Sequence, residues 1–446
     1  MLFKIRLMCF APSVCSKHLT GVGHQETPAR VSVLTGDEHG VLHQLPFDSL
    51  PIHCRGHNAE LVDVLRVHEY QYVQHLQDTA KAATASEEGL VRFDADTVMS
   101  AQSWSAALAS AGAVCNAVDA VVCGKVDTVF VSCRPPGHHA GPNGAVPCPS
   151  KFKTEPHQCS SGFCLVNNVA IGAAYARNRY GRPIPFGTTS GRVDKIAIID
   201  FDIHHGNGTE AIVRNLVPHY ETLPLPASWA PRKIFSYKPW LNENDPEHVF
   251  FGSVHLFDGS FYPQTGRSTH DHTPGEERIV NVCLDRVGPE GNKKKLTPVQ
   301  RSKMHAKASS TFRHRITQQL IPKLTAFGAD LVFFSAGFDG HIDDFYHYLS
   351  AEDYAWLTRE VMASSAPRAR CVSVLEGGYR VTCASSNANP ASRARTRYLN
   401  KTEGKKKKSS KHSVPCTEAG YDCAVVSPLA RCVAAHVSAL VRKKNE

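Results

Sequence analysis

Acidic and imidazole side chains alternate along the segment IIDFDIHHGNG, where an apolar run ends. Asp200, Asp202 and His204 are spaced by two residues, so on an extended segment all three point to the same side. Two carboxylates and an imidazole at a buried strand end are costly unless a cation is present. Asp339 in SAGFDGH could join Asp202 and His204 as the third ligand of a Zn²⁺ site with an open fourth position. In the alternative interpretation these acids only cap the following turn.

The segment RPPGHHAG places two neighbouring histidines after a stiff turn. Pro135, Pro136 and Gly137 form this turn and present His138 and His139. Zinc-dependent hydrolysis needs a base that takes a proton from water and an acid that protonates a leaving amine. Two histidines whose pKa values are pushed apart could divide this work. Paired histidines are also common in structural positions, so the catalytic hypothesis depends on the aspartate cluster.

The segment LEGGY adds a phenol. Gly377 and Gly378 permit a close approach of the backbone, and Tyr379 follows them. A phenolic donor opposite a metal can stabilise an oxyanion by hydrogen bonding. By itself, a tyrosine after two glycines can equally be a packing residue.

Each of these segments follows a predicted β-strand. The strand candidates are TVFVSC (128–133), KIAIIDF (195–201), VFFGSVHL (249–256), IVNVCL (279–284), LVFFSAG (331–337) and CVSVLEG (371–377). Several are apolar on both faces, which is typical of parallel strands covered by helices on each side. In open α/β sheets ligands bind beyond the carboxyl ends of the strands. Four polar clusters at four strand ends therefore predict one shared site.

Helical patterns alternate with these strands. The predicted helices follow Ser100, run through NNVAIGAAYAR, span roughly 301–327, follow Ser350 and lie near 427–442. Ser350 and Asp353 resemble a capping box, with Asp in place of the usual Glu. The alternation predicts one large α/β domain over residues 1–446, with a mostly parallel central sheet flanked by helices. Stretches that interrupt the alternation are interpreted as surface insertions, at 141–160, 214–247 and 381–418.

The composition is that of a globular chain. Of 446 residues, 42% are hydrophobic and 20% are charged, which excludes a mainly disordered, collagenous or coiled-coil protein. No uninterrupted apolar run approaches the ~18 residues of a membrane helix. The N-terminal segment MLFKIRLMCFAPS has basic residues within its apolar run, so we interpret it as a buried strand rather than a signal peptide. Fifteen cysteines, an odd count, predict free thiols in a reducing compartment.

The net charge of +9 is concentrated in one segment. Residues 391–411 hold nine Lys or Arg and one Glu, so the rest of the chain is close to neutral. A direct nucleic-acid-binding site is therefore not predicted. The basic segment is interpreted as a solvated loop; the alternative is a nuclear import signal or a patch for an anionic partner. Location in the nucleus or the cytoplasm stays open, and the polybasic run 405–411 favours the nucleus.

Taken together, these segments closely resemble the zinc-dependent histone deacetylase family, on the arginase/deacetylase fold. The resemblance runs from about Thr27 to Tyr379, through ETPAR, RPPGHHAG, SSGFCLVNN, IIDFDIHHGNGTEAI, SAGFDGH and LEGGY, and it favours the class II branch. It implies Zn²⁺ bound by Asp202, His204 and Asp339. It also implies that His139 is the principal base and acid, that His138 is its electrostatic partner, and that Tyr379 polarises the scissile carbonyl.

The resemblance also implies roles for residues around this centre. Asp200 would support His138 and, with the region of Ser253 and Val254, form a K⁺ site. Asn207, where class I members have an aspartate, would support His139. The residues implied to line the substrate tunnel, its rim and its inner channel are Asp96, Gly162, Phe163, Tyr262, Tyr346, Gly377 and Arg30.

Two departures from the family pattern concern the tunnel. Tyr262 stands where the other wall is commonly Phe, and it is expected to add a hydroxyl to the tunnel. Asp344-Phe345-Tyr346 replaces a typical Asp-Pro-Leu and places an aromatic residue at the rim. The insertion after the paired histidines also bears on which substrates fit.

The predicted function is hydrolysis of acetyl groups from lysine side chains of proteins. The implied partners are acetylated histones or other proteins, with a co-regulator complex and a role in chromatin and transcription; no membrane partner is predicted. One alternative is an amidohydrolase for acetylpolyamines or other small acyl-amines. A two-metal arginase-type site is disfavoured because Gly206 stands where a further carboxylate is required. A catalytically idle scaffold is the third hypothesis, although all the ligands and the tyrosine are present.

Overall fold

An all-parallel, eight-stranded sheet organises the described part of the chain. The computed structural model describes residues 6–36, 39–147, 160–182, 191–223, 232–267, 278–288, 296–367, 369–382, 417–418, 421–422 and 426–441. The sheet strands are β1 (Leu7–Phe10), β2 (Ile52–His53), β3 (Thr128–Val131), β4 (Ile196–Asp200), β5 (Val249–Leu256), β6 (Ile279–Leu284), β7 (Leu331–Ala336) and β8 (Arg370–Leu375). Their order across the sheet is β6-β5-β4-β7-β8-β3-β1-β2. The predicted α/β architecture with a mostly parallel sheet is confirmed.

The central strands are buried on both faces, as the apolar runs predicted. Every residue of β3, β4, β5 and β7 is buried. Phe333 and Phe334 of β7 are fully buried but belong to different hydrophobic clusters, one on each face of the sheet. This two-sided burial requires helices on both faces. Truncating either phenylalanine to alanine is expected to cost about 3–5 kcal/mol.

Helices cover both faces of the sheet. They are α1 (Ala29–Thr35), α2 (Leu61–Val64), α3 (Tyr70–Ala85), α4 (Ser103–Val122), α5 (Asn168–Tyr180), α6 (Asn207–Arg214), α7 (Asp245–His248), α8 (Pro298–Arg315), α9 (Ile321–Phe327), α10 (Ala351–Ser364) and α11 (Pro428–Val441). Short 3₁₀ segments lie at Ser13–Lys17 and Val41–His43. The predicted capping box is present: the side chains of Ser350 and Asp353 each accept the other's backbone N–H.

The long helix predicted over roughly 301–327 is interrupted. A π-helical turn, Ile316–Leu320, separates α8 from α9. Pro322 lies in the first turn of α9 and has no N–H with which to continue the ladder of hydrogen bonds. The missing donor explains why the helix widens at this point.

One described helix, α4, has the length and mean hydropathy that a membrane span requires. In its apolar window, however, 78% of the residues are buried inside the domain. This burial is what a core helix of a globular fold shows, and α4 packs against α5 and β3.

The N-terminal apolar run forms a strand from Leu7, but only Cys9 of β1 is buried. Strand β1 lies near one edge of the sheet, with only the two-residue strand β2 outside it, and this position explains the partial exposure. Strand β2 was not predicted, because two residues carry no detectable periodicity.

The three interpreted insertions are described only in part. Residues 148–159, 224–231 and 383–416 lie outside the described residues, and with them the basic segment 391–411. The described parts contain short antiparallel hairpins, at Ala140–Gly141 with Gly144–Ala145 and at His219–Leu223 with Arg232–Ser236. A further antiparallel pair is Leu90–Arg92 with Val98–Ser100, and another is Thr417–Glu418 with Tyr421–Asp422. Whether the whole chain is a single domain stays a prediction.

Candidate active site

Four adjacent strands of the sheet deliver the predicted chemical segments to one edge. Strands β4, β7, β8 and β3 are consecutive neighbours, and all run parallel. Their carboxyl ends lead into DIHHGNG, FDGHIDD, GGY and RPPGHHAG respectively. Because parallel strands end at the same edge, the four loops lie side by side. The shared location follows directly from the order of the strands.

The three predicted metal ligands converge in the described structure. The ligand atoms of Asp202, His204 and Asp339 all lie within 4.8 Å of one another, and the three residues are buried. Nδ1 of His204 is 3.1 Å from Oδ1 of Asp202 and 2.9 Å from Oδ2 of Asp339. This arrangement supplies two oxygens and one nitrogen, a donor set that suits Zn²⁺ with an open fourth position.

The environment of these carboxylates also fits a cation. Oδ2 of Asp339 is buried and accepts no hydrogen bond of good geometry from the described residues. Burial and the negative charge of Asp202 raise the pKa of Asp339 to about 6. Two buried carboxylates this close repel each other, and a divalent cation between them removes that cost.

Glycines make room for the ligands. The backbone N–H of Gly377 donates to Oδ2 of Asp202 at 2.9 Å. A Cβ atom on Gly377 would lie 2.4 Å from that oxygen, and one on Gly337 would lie 1.9 Å from it. Both glycines are therefore required by close packing against Asp202. The structure places Gly377, predicted to contact substrate, against Asp202, a predicted metal ligand.

The paired histidines sit in different electrostatic environments. Nδ1 of His138 lies 2.9 Å from Oδ2 of Asp200, and Nδ1 of His139 lies 2.8 Å from Oδ1 of Asn207. Burial disfavours the charged form of His138, but Asp200 and Asp202 outweigh it and raise its pKa to about 10. Burial and the positive charge of His138 lower the pKa of His139 well below its usual value. His138 is therefore cationic and His139 neutral, as a division of roles requires.

The tautomer of His139 follows from its partner. An amide oxygen can only accept, so we assign the proton of neutral His139 to Nδ1, which donates to Asn207. The Nε2 lone pair is then free, and His139 lines the cavity. This is the orientation of a general base.

Tyr379 is held from several sides. Its backbone N–H donates to Oδ2 of Asp344 at 2.8 Å. The guanidinium of Arg30 lies 5.0 Å from the centre of its ring, and the ring of Phe163 meets it edge-on at 5.8 Å. Burial and the charge of Asp339 raise the pKa of Tyr379 well above its usual value. The hydroxyl therefore stays protonated and can donate.

A cavity of about 710 Å³ leads to this centre. It is lined by Asp96, His139, Gly162, Phe163, His204, Ser260, Phe261, Tyr262, Arg286, Val287, Phe345, Tyr346, Tyr348 and Tyr379. Five of the predicted tunnel and rim residues therefore lie on it; Arg30 and Gly377 lie behind its wall. Aromatic rings supply much of the lining.

The walls of the cavity have unusual local geometry. Gly162 and Phe163 have positive φ angles, 54° and 70°. Phe163 is a rare non-glycine residue in this region, and its N–H donates to Oγ1 of Thr97 at 3.2 Å. Tyr346 lies with its ring 4.7 Å from that of His204. The aromatic residue expected at the rim thus packs directly against His204, a predicted metal ligand.

The hydroxyl of Tyr262 is not free in the tunnel. It donates to the backbone oxygen of Ser160 at 2.9 Å, while the ring packs 4.9 Å from that of His139. The extra hydroxyl expected to alter the tunnel is therefore used to join its two walls.

Asp96, the predicted rim acid, is one of the residues that line the cavity. Its Oδ1 accepts the hydroxyls of Ser160 and Thr97, the latter at 3.3 Å. Asp94 accepts the backbone N–H and the hydroxyl of Ser161, at 2.9 and 2.7 Å. The two acids therefore organise the loop that carries Phe163.

The residues predicted for a K⁺ site lie together. Ser253 of β5 pairs in register with Asp200, and Val254 follows it in the core. Nε2 of His255 lies 2.8 Å from the oxygen of Gly266, and Nδ1 lies 2.9 Å from Oγ of Ser253. A carbonyl only accepts, so His255 donates through Nε2 and the Ser253 hydroxyl donates to Nδ1. The lone pairs of that hydroxyl remain available to a cation.

Two residues of the site, Glu376 and Phe261, were not predicted from the sequence. Glu376 is buried and accepts the backbone N–H groups of Gly137 and His138, at 2.7 and 3.2 Å. Its presence inside an apolar strand end was a usable signal. Phe261 stacks on His204 with ring centres 4.8 Å apart and 9° between the planes. Nothing in its spacing distinguished it from its neighbour Tyr262.

Comparison with known proteins agrees with this geometry. The histone deacetylase domain family matches residues 24–395. Type-2 histone deacetylase 2 of Dictyostelium discoideum is 29% identical over 85% of this chain and 20% of its own length. Histone deacetylase 6 of Caenorhabditis elegans is 27% identical over 82% of this chain and 31% of its own length. The chain thus spans less than a third of either curated relative.

Fold comparison points the same way. The crystal structure of the HDA15 HD domain superposes with a TM-score of 0.59, at 23% identity, over 84% of this chain and 85% of that one. At this identity the likeness concerns the fold alone. Since the family match covers most of the sequence and includes every strand end of the candidate site, the chain belongs to the histone deacetylase family.

Proposed function

We propose that this histone deacetylase-family hydrolase removes acetyl groups from lysine side chains of proteins and depends on Zn²⁺. The observation that carries the proposal is the convergence of Asp202, His204 and Asp339 within 4.8 Å, beside a cationic and a neutral histidine. Zn²⁺, held by these three residues, would supply a Lewis acid that activates water and polarises the acetyl carbonyl.

The protein groups divide the proton transfers. Nε2 of His139 takes a proton from water as the water oxygen bonds to the acetyl carbon. The Tyr379 hydroxyl donates a hydrogen bond to the carbonyl oxygen, where negative charge develops. When the carbon–nitrogen bond breaks, His139 returns the proton to the leaving lysine nitrogen. The products are acetic acid and the free amine, which at neutral pH become acetate and the lysine ammonium.

His138 acts without changing its protonation. The carboxylate of Asp200, 2.9 Å from Nδ1 of His138, favours the cationic form, and the ring centre of His138 lies 4.0 Å from that of His139. A fixed positive charge there disfavours a second proton on His139, which keeps the base ready. It also stabilises negative charge on the carbonyl oxygen during the reaction.

The cavity suits an extended side chain. Phe163 and Tyr262 line it as aromatic walls, and a lysine stem can pack its methylene groups between them. The hydroxyls of Thr97 and Ser160 bind Oδ1 of Asp96, whose side chain lines the cavity. This carboxylate can accept a backbone N–H of a peptide substrate.

Class II character and K⁺ are finer parts of the same proposal. The amide of Asn207 at Nδ1 of His139 is the class II pattern in place of a carboxylate. For K⁺, the available lone pairs of Ser253 beside Asp200 support a monovalent site behind the histidines.

Acetylated histones or other proteins, and a co-regulator complex, are proposed partners. Nuclear location rests on the run 405–411 and is tested by neutralising its lysines in a tagged protein.

Acetylpolyamines are the less favoured substrate. Two acids near the rim, Asp343 and Asp344, could in principle attract a polycation. Asp343 instead pairs with Arg301 at 2.5 Å and Arg431 at 3.0 Å. Asp344 accepts backbone N–H groups, including that of Tyr379. Neither carboxylate is left for a polyamine.

The test compares substrates on one preparation. The zinc-loaded protein is assayed with an acetyl-lysine histone peptide and with acetylspermidine, with and without a chelator. The proposal requires a higher kcat/KM on the peptide and loss of turnover with chelator that added zinc restores. Turnover of acetylspermidine alone, or of neither substrate, contradicts it.

A further inference from the structure

A buried carboxylate behind the active site, Glu26, contacts two arginines that reach opposite parts of the catalytic machinery. Its side chain is fully buried. Oε1 of Glu26 accepts from Nη1 of Arg30 at 3.0 Å and from Nε of Arg134 at 2.5 Å. Oε2 accepts from Nη2 of Arg134 at 2.5 Å. Both arginines are themselves fully buried.

Arg30 links Glu26 to the loop that contains Tyr379. Its Nε donates to the backbone oxygen of Gly378 at 2.7 Å, and its Nη2 donates to that of Glu376. Its guanidinium also lies over the Tyr379 ring, 5.0 Å from the centre. The loop that presents the phenol is therefore fixed by one guanidinium, which in turn is fixed by Glu26.

Arg134 links Glu26 to the turn that precedes His138 and His139. It lies directly before the Pro135–Gly137 turn that presents His138 and His139. Its Nη1 donates to the backbone oxygens of Cys15 and His18, each at 2.9 Å. With the bidentate contact to Glu26, these bonds satisfy a buried charge that would otherwise be very unfavourable.

We propose that Glu26 is a positioning residue that fixes the distance between the Tyr379 hydroxyl and the His138–His139 pair. Glu26 is not among the residues that line the cavity, and it acts through Arg30 on one loop and Arg134 on the other. The two loops follow β8 and β3, which are neighbours in the sheet. The sheet sets the approximate separation of the two loops. Glu26, through the two arginines, fixes their final relative position. The inference rests on the proposed hydrolytic function.

The test uses Glu26→Gln and Glu26→Asp in the full chain. Gln keeps the shape but loses the charge, and its amide nitrogen faces a donor of Arg134. Asp keeps the charge on a shorter stem and is the variant to use if Glu26→Gln does not fold. We expect kcat to fall about 10- to 100-fold, with KM changed less than about threefold, because a small misplacement of catalytic groups costs this much. Zinc content should equal that of the wild type.

Asp245→Asn is the matched control. Asp245 is also a fully buried carboxylate with an arginine partner, Nε of Arg177 at 2.9 Å, but it lies at the amino end of β5. A merely structural role for Glu26 predicts that both variants lose stability and that neither changes the kcat of the folded enzyme. Unchanged kcat in folded Glu26→Gln and Glu26→Asp, or an equal kcat loss in Asp245→Asn, overturns the inference.

A double-mutant comparison separates positioning from general damage. In a Tyr379→Phe background the hydroxyl to be positioned is absent, so Glu26→Asp should cost less than about threefold further in kcat. If the loss of kcat in the double variant equals the product of the two single-variant losses, the inference is contradicted. Wild-type turnover, measured first, tests the proposed function alone, and the variant ratios are taken on whichever acyl-amine the wild type hydrolyses.

Discussion

Nδ1 of His204 lies 2.9 Å from Oδ2 of Asp339, on the loop of a neighbouring strand. The imidazole contributes nitrogen and the carboxylate contributes an oxygen with no well-aligned hydrogen bond in the described structure. Oδ1 of Asp202 lies 3.1 Å from the same Nδ1, so two carboxylate oxygens and one imidazole nitrogen converge on a position that suits a cation.

Tyr379→Phe should lower kcat about 100- to 1000-fold with little change in KM, because it removes one donor to the developing oxyanion. Steady-state kinetics on an acetyl-lysine peptide measures both constants. Tyr354→Phe is the control: its hydroxyl is buried without a hydrogen-bond partner among the described residues. That variant should keep wild-type kcat and gain slightly in stability. Wild-type kcat in Tyr379→Phe would remove the tyrosine from the mechanism.

Asn207→Asp should move the acid limb of kcat/KM to higher pH. A carboxylate 2.8 Å from Nδ1 stabilises protonated His139, so its pKa rises by about one unit or more. The base must be deprotonated to act, and higher pH is then needed to free it. In the wild type the lowered pKa of His139 keeps the base neutral through pH 7, so its acid limb should lie below about pH 6.5. A pH–rate profile measures the shift, and an unmoved limb contradicts the assignment of His139 as base.

Glu26→Gln should destabilise the fold in a pH-dependent way. Burial alone would raise the pKa of Glu26, but Arg134, with His18 and Arg30, holds it well below its usual value. A depressed carboxyl pKa contributes stability that is fully present above the unfolded value of about 4.3 and is lost as pH falls below it. At pH 7 the variant should lose about 3–5 kcal/mol of unfolding free energy.

Urea unfolding of both proteins at neutral pH and at about pH 3 measures this difference. The gap between wild type and Glu26→Gln should narrow at the lower pH, because the wild type then loses the contribution that the variant already lacks. A gap that is constant with pH would show that the charge of Glu26 does not stabilise the fold.

Tyr262→Phe should loosen the tunnel. The change leaves the oxygen of Ser160 without its donor, so stability should fall by about 1 kcal/mol. The wall carried by Phe163 then moves more freely, and KM for the acetyl-lysine peptide should rise a few-fold while kcat is maintained. Tyr72→Phe is the control, since the Tyr72 hydroxyl donates to the oxygen of Leu165 away from the cavity lining. An equal rise of KM in both variants contradicts a tunnel role for the Tyr262 hydroxyl.

Much of the fold could be predicted because its signals are local. Buried parallel strands such as β4 and β7 are continuous apolar runs, and their polar ends are visible in the chain. The rule that parallel strands end at one edge then brings Asp202 near Asp339 without further information. The capping box at Ser350 is similarly local, since both partners lie within four residues.

The remainder depends on contacts that spacing does not encode. The direction of the Tyr262 hydroxyl depends on Ser160, on a separate loop. The contact of Glu26 with Arg134 joins distant segments of the chain, and no periodicity marks it. The interruption at Pro322 was different, since a proline inside a helical pattern was a readable signal.

The most direct test of the central claim is zinc titration of the metal-free protein while turnover of an acetyl-lysine peptide is recorded. Turnover should rise from near zero and reach its plateau at about one Zn²⁺ per chain. Asp339→Asn should bind zinc at least about 100-fold more weakly and stay inactive at that concentration, because it loses a ligand rather than a supporting group. Asp330→Asn, at the opposite end of β7, should titrate like the wild type. Full activity of the metal-free wild type, or an Asp339→Asn protein that plateaus at the same zinc concentration, would contradict the account.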